Sequence, residues 1–327
     1  MNDDYGFDTL SIHGKNEENN PANALNPPIF MTSTYVFDDV QDAEDIMNFR
    51  KEGYLYTRGN NPTLRLFEKR MAGLEDGRDA VAFASGMSAI TSVLFSFLSP
   101  GDTLLTHTVL YGSSYTATHK LLTKYKINCK SVDFTDLEAV KAAIDANTKV
   151  LYFETPANPS LDIIDIRKVS EIAKAHNAKV VVDNTFATPY FQKPLSLGAD
   201  VAVHSATKYI CGHGDALGGV AVSKDVDYIR DLKFEYMCEF GGVMSPFNAW
   251  LMLRGLKTLG LRMRQHEANA IAIAKFLKGH PKIESVIYPG LETAKGHLLA
   301  KEQMSGFGAM ISFEVKGGLE AAKKFVN

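Results

Sequence analysis

The sequence has little of what marks a nucleic-acid or membrane protein. Its 35 lysines and arginines are outnumbered by 38 acidic residues, for a net charge of −3. No basic excess is therefore on hand to neutralise a phosphate backbone or an anionic bilayer surface. No apolar run approaches the ~20 residues that a spanning helix requires. The opening "MNDDYGFDTL" is acidic and lacks the basic and apolar regions of a secretory signal, which points to the cytoplasm. Cysteine is scarce as well. Cys129, Cys211 and Cys238 are an odd number at wide spacing, so free thiols are expected rather than a disulfide framework. None is needed: 327 residues, 45% of them hydrophobic, can bury a core unaided by disulfide or metal. The length predicts about two domains at roughly 100–200 residues each.

What is present changes along the chain. Residues 1–60 include "HGKNEENNPANALNPPIF", rich in Asn and Pro, which reads as an extended arm, with a disordered tail as the alternative. Within the same stretch "IFMTSTYVF" and "YLYTR" carry aromatic and β-branched residues that want a partner surface. From residue 64 onward, helical and strand patterns alternate. "LRLFEKRMAGLE", "MSAITSVLFSFL", "YTATHKLLTKY", "TDLEAVKAAID" (capped by Thr135 or Asp136) and "IRKVSEIAKAHN" read as helices. "DAVAFA", "DTLLTH", "KVLYFE", "KVVVDN", "ADVAVHS" and "GGVAVS" read as strands. Near-continuous apolar strands between amphipathic helices predict an α/β fold with a mostly parallel, doubly covered sheet. Ligands of such sheets bind beyond the carboxyl ends of the strands. That rim would carry Ser85-Gly86, His107, Glu154, Asp183 and "HSATK". Helices from about residue 246, then "MISFEVKG" and "LEAAKKFV", predict the opening of a smaller α+β domain. The expected division is an arm over 1–60, a large domain over 61–250, and a small domain begun at 251 and incomplete at 327.

Three features of that rim suit one ligand. Asp183 ends "VVVD", and a buried carboxylate paired with a cation stays ionised and keeps its partner charged. Lys208 follows the next strand, an amine able to capture an electrophile. "ASGMSAI" joins strand to helix at Ser85-Gly86, where bare backbone N–H groups make an anion site and Gly allows close approach. Ser205 and Thr207 add hydroxyls beside Lys208. Taken singly, each has a plainer use as a cap, a turn or a loop anchor. Together they ask for a ligand with a phosphate, a basic ring nitrogen and an aldehyde, as in pyridoxal phosphate (PLP). Tyr111 could stack on its ring or move protons.

Other readings fail on context. "SATK" fits S-x-x-K of the serine β-lactamases and penicillin-binding proteins, but S-D-N and K-T-G are absent. "GHGDALGG" misses the dinucleotide pattern G-x-G-x-x-G. Cys211, His213 and Asp215 have no second cluster to complete a metal site.

At these residues the chain resembles the Cys/Met-metabolism (trans-sulfuration) family of PLP-dependent enzymes, of fold type I. The motifs "YTRGNNPT", "ASGMSAI", "LYGSSY", "ETPANP", "VVVDNTFATP", "HSATKYICGHGD" and "SPFNAWLMLRGLKTLGLRM" carry the resemblance over essentially the whole length. It implies that Lys208 is the Schiff-base lysine and Asp183 the partner of the pyridine nitrogen. It further implies that Gly86, Met87, Ser205 and Thr207 hold the phosphate, with Tyr111 stacked on the ring and Asn158 near its hydroxyl. Tyr56 and Arg58 match the pair that reaches a neighbouring subunit's phosphate, so a homo-oligomer with shared active sites is implied, usually a dimer of dimers. Tyr56, Tyr111 and Ser113 would face a small sulfur amino acid. No nucleic acid, membrane or metal is implied.

The resemblance also bears on substrate. Members that handle cystathionine commonly place an Arg where this chain has Thr116, and bacterial cystathionine γ-synthases place another at Gly59. Without those cations a distal carboxylate would be buried unpaired, which is costly. A neutral side chain fits better, implying a carbon–sulfur lyase that converts L-methionine to methanethiol, 2-oxobutyrate and ammonia. Against that, typical methionine γ-lyases have Cys where this chain has Ser113, and a polar pair where it has Met237 and Cys238. The alternatives are γ-replacement on an O-acylhomoserine (a sulfhydrylase or cystathionine γ-synthase), cystathionine γ-lyase, or a non-catalytic paralogue. The family's arginine for the substrate α-carboxylate is expected beyond residue 327, as in a fragment.

Overall fold

The apolar runs read as strands do assemble into a sheet. The computed structural model describes residues 5–14 and 24–327, so part of the Asn/Pro-rich stretch, residues 15–23, lies outside the described residues. The main sheet has seven strands: β1 (Asp79–Phe83), β2 (Thr103–His107), β3 (Asn128–Val132), β4 (Thr148–Glu154), β5 (Lys179–Asp183), β6 (Val201–His204) and β7 (Gly219–Ser223). Their order is β1-β7-β6-β5-β4-β2-β3. β2 pairs in parallel with β3 and β4, and β4 with β5, while β1 runs antiparallel to β7. β2, β6 and β7 are buried along their whole length, as expected of a sheet covered on both faces. The fold is α/β, a mostly parallel sheet flanked by helices. β3 is the strand the apolar pattern misses. It lies at the sheet edge with most of its residues partly or fully exposed, so "NCKSV" has no need of an apolar run.

The chain forms two compact units, each built from two separate stretches: Met1–Ser96 with Val203–Leu259, and Phe97–Ala202 with Gly260–Asn327. In the first unit, helix Pro62–Leu74 is set by its cap. The Asn61 side chain accepts the Thr63 N–H, and Pro62 occupies the first position, where its missing N–H costs nothing. The helix buries Leu64, Phe67, Met71 and Leu74 on one face. Glu68 is buried too, and its charge is met: it accepts the Ala82 N–H at 3.0 Å and pairs with Lys233 at 2.5 Å. "IFMTSTYVF" and "YLYTR" find their partner surface in each other. Tyr35 N–H donates to the Leu55 carbonyl at 3.2 Å, Thr57 N–H to that of Ser33 at 2.9 Å, and Thr34 bridges Tyr56.

In the second unit, Leu105, Phe134, Leu151, Phe153, Val180 and Val182 pack against Ile166, Val169 and Ala173 of helix Ile166–Ala175. Full burial of each large side chain there is worth roughly 1.5–3 kcal/mol. Asp165 caps that helix by accepting the Lys168 N–H. Of the two expected caps for helix Leu137–Ala143, Asp136 serves, accepting the Glu138 and Ala139 N–H groups. A smaller core gathers Ala270, Ala274, Tyr288 and Leu291 beside the antiparallel pair β8 (Ile283–Ile287) and β9 (Ser312–Val315). Among the described residues no helix is long and apolar enough to cross a membrane.

Candidate active site

The first unit gathers the amine and the expected phosphate donors. β1 runs into the Ser85-Gly86 turn, where Ser85 Oγ accepts the Ser88 N–H at 3.1 Å and helix Gly86–Phe97 begins. Met87 is the second residue of that helix. Gly86 is dictated by close approach: a Cβ there would lie 2.7 Å from Ser205 Cβ and 2.8 Å from Ser205 Cα. Gly219 is under a harder limit, since its Cβ would sit 2.1 Å from the Ser85 carbonyl oxygen. The structure thus brings Gly86 and Ser205 together. Thr207 Oγ1 accepts the Gly218 N–H at 3.0 Å and donates to the Gly218 carbonyl at 3.2 Å. Its proton is taken by that carbonyl, so it meets a phosphate only by exchanging partners. His204 Nε2 lies 2.6 Å from Glu75 Oε1 in a wholly buried pair that ties β6 to the end of helix Pro62–Leu74. Lys208 itself is exposed.

Also in the first unit, the Arg58 guanidinium stacks over the Tyr56 ring at 5.1 Å, and both side chains are exposed. Cys238 Sγ donates to the Arg58 carbonyl at 3.4 Å. Cys211, His213 and Asp215 satisfy one another within their own turn, Cys211 Sγ donating to Asp215 at 3.2 Å and His213 Nδ1 lying 2.7 Å from the Cys211 carbonyl. All three cysteines are free.

The second unit gathers the acid and the aromatic. Asp183 ends β5, is buried, and accepts the Thr185 N–H at 2.9 Å. Parallel pairing sets Glu154, the last residue of β4, opposite it. Glu154 Oε1 accepts the Tyr111 N–H at 2.9 Å, and the Asn158 N–H and the Ser114 hydroxyl are donors near enough to draw its pKa down. Burial and the facing Asp183 charge push its pKa up to about 8 despite those donors. Tyr111 precedes the short helix Gly112–Thr116, which carries Ser113, and about half of its surface is exposed. His107 is not part of this group. Its Nδ1 accepts the Phe134 N–H at 3.1 Å, and its buried ring serves the packing of β2. Glu154 is the residue whose connections the sequence does not announce. Its one signal is its place on the rim at the end of an apolar strand.

The model of the family described as Cys/Met metabolism PLP-dependent enzyme matches residues 8–327. The chain belongs to that family. The L-methionine gamma-lyase of Fusobacterium nucleatum subsp. polymorphum is 46% identical over 326 residues, which cover 99% of this chain and 82% of the relative. The cystathionine gamma-synthase of Mycobacterium leprae is 41% identical, covering 99% of this chain and 83% of its own. Among solved structures, metB from Corynebacterium glutamicum superposes with a TM-score of 0.93 at 42% identity, covering 98% of this chain and 81% of that one. Cystathionine gamma synthase from Xanthomonas oryzae, in complex with aminoacrylate and cysteine, gives 0.93 at 40% identity, with coverage of 99% and 81%. The protein is thus a PLP-dependent enzyme of the trans-sulfuration family. Taken separately, each unit has groups that suit that cofactor: the first an exposed amine, a helix start with no Cβ in the way and the Ser205 and Thr207 hydroxyls, the second a buried carboxylate and a half-exposed phenol.

Proposed function

We propose that the enzyme carries out γ-elimination on L-methionine which, with uptake of one water, gives methanethiol, 2-oxobutyrate and ammonia. One observation carries the choice of a neutral side chain. Gly59, where a cation would meet a distal carboxylate, has its Cβ direction filled at 3.3 Å by Phe234 Cε1 and at 3.7 Å by Cys238 Sγ. Thr116 likewise offers no charge. The family's L-methionine gamma-lyases at about this level of identity support the reading.

Bound PLP supplies an electron sink for the carbanions that form at the substrate α- and β-carbons. The chain's own residues do the rest. Lys208 Nζ would hold the cofactor by its aldehyde carbon and, when free, would take the substrate's α-proton and later a β-proton. Asp183 keeps a proton on the ring nitrogen, since a buried carboxylate favours its paired cation. Tyr111 would stack on the ring, and its Oη would give a proton to the departing sulfur. The backbone N–H groups of Gly86 and Met87 hold the phosphate with Ser205 and Thr207, while Asn158 orients the ring hydroxyl. Tyr56 and Arg58 complete a neighbouring subunit's site, and Tyr56, Tyr111 and Ser113 line the substrate side. On this reading the arm, residues 1–60, crosses between subunits of a dimer of dimers. The large domain runs from 61 to 250, the small domain starts at 251, and the enzyme works in the cytoplasm.

A second reading is γ-replacement on an O-acylhomoserine, favoured by Ser113 and by the synthase relatives. Purified holoenzyme given methionine alone separates the two. Rapid 2-oxobutyrate release, abolished in Lys208→Ala, supports elimination. Turnover only when acylhomoserine and a thiol are both present rejects it.

A further inference from the structure

Glu154 has no part in the chemistry so far, yet it holds the main chain of Tyr111 and faces Asp183 on the neighbouring strand. Its Oε1 takes the Tyr111 N–H at 2.9 Å. Strand register sets it beside Asp183. Ser114, three residues beyond Tyr111, accepts a hydrogen bond from the buried Tyr152 hydroxyl at 3.4 Å. The Glu154 side chain is almost wholly buried, and every contact just named is made inside the protein.

We infer that Glu154 is a positioning residue that fixes Tyr111 for the reaction, acting as a neutral carboxyl group beside the Asp183 carboxylate. The inference rests on the reading of Tyr111 and Asp183 as cofactor residues. Two facing carboxyl groups in a buried site do not both ionise readily, so one of them keeps a proton. Asp183 faces a cation when the cofactor is bound, and the proton therefore belongs on Glu154, in line with its raised pKa. A neutral carboxyl group still presents an acceptor oxygen to the Tyr111 N–H. With that main-chain atom held, only two side-chain torsions are left to aim the phenol. Loosening it misplaces the group that protonates the leaving atom, which is felt in the chemical step more than in substrate binding.

The test compares wild type with Glu154→Gln and Glu154→Asp. The amide copies the shape and acceptor of a neutral carboxyl group; the aspartate withdraws the carboxyl group by one carbon from the Tyr111 N–H. Cofactor Kd is read by titrating PLP into stripped protein and following the visible absorbance of the lysine adduct, and kcat and KM are read on methionine. The amide variant is expected within about 3-fold of wild type in both, while the aspartate variant loses about 10-fold or more in kcat with KM moved less than about 3-fold. Its cofactor Kd is expected to rise by about 10-fold as well. An amide variant that loses about 10-fold or more against wild type would overturn the neutral role, whether or not Glu154→Asp folds. An aspartate variant indistinguishable from wild type would overturn positioning. Should wild type bind cofactor but leave methionine untouched, a raised cofactor Kd in Glu154→Asp still supports the inference, and only the substrate reading falls.

Discussion

A glutamate that titrates near neutrality couples folding to pH. The Glu154 carboxyl group, ordinarily half-ionised at 4.5, is pushed up to about 8 by burial and by the Asp183 charge facing it. As pH rises through that window the unfolded chain releases its proton while the folded chain keeps it. The unfolded state then binds fewer protons, so stability falls from about pH 4.5 to 8 and levels off above. Glu154→Gln removes this dependence. Urea midpoints measured at about pH 5 and about pH 8 should therefore fall less for the amide variant than for wild type. Equal declines would assign the titration to another group. At this scale the sequence was partly legible. Lys208 and Asp183 stand out because each breaks an apolar strand's end with a charge. Glu154 ends its strand in the same way, but its hydrogen bond comes from the backbone N–H of Tyr111, and no side-chain pattern records that. Gly219 was hidden too, because what demands it is the Ser85 carbonyl on another strand's end.

Among the elements, helix Pro62–Leu74 shows how one side chain can join several tasks. Asn61 Oδ1 caps the helix, while its Nδ2 lies 2.9 Å from the Phe30 carbonyl and 3.0 Å from the Tyr35 hydroxyl. Losing a cap alone costs about 0.5–2 kcal/mol. Asn61→Ala should exceed about 2 kcal/mol in chemical denaturation, because the buried Phe30 contact goes with it. Asn61→Asp, which keeps the cap acceptor but not the donor, should fall between that variant and wild type. The elements that sequence reading recovered are those with a strong period. β4, β5 and β7 are apolar runs, and helix Ile166–Ala175 buries one stripe. Those it missed have a physical excuse. β3 is polar because it is an edge, and β8 is only half-buried. Residues 232–237 form a wide i→i+5 turn that spoils the 3.6-residue spacing around it.

For the molecule as a whole, the division into units is not a division of the chain. Each unit needs a stretch from before residue 202 and one from after it. A fragment cut at residue 202 therefore holds only part of both, and is expected to show no cooperative thermal transition by circular dichroism. A sharp transition in that fragment would mean that one stretch folds without its complement. The interleaving has a consequence during synthesis. Once Ser96 has left the ribosome, the stretch that begins at Val203 follows only after roughly 5–20 s at the usual elongation rates. Through that interval Leu64, Phe67 and the strand Asp79–Phe83 travel on a nascent chain without their mates, in reach of chaperones and of one another. Soluble yield should then depend on how crowded and how hurried translation is, more than on any single contact in the finished enzyme.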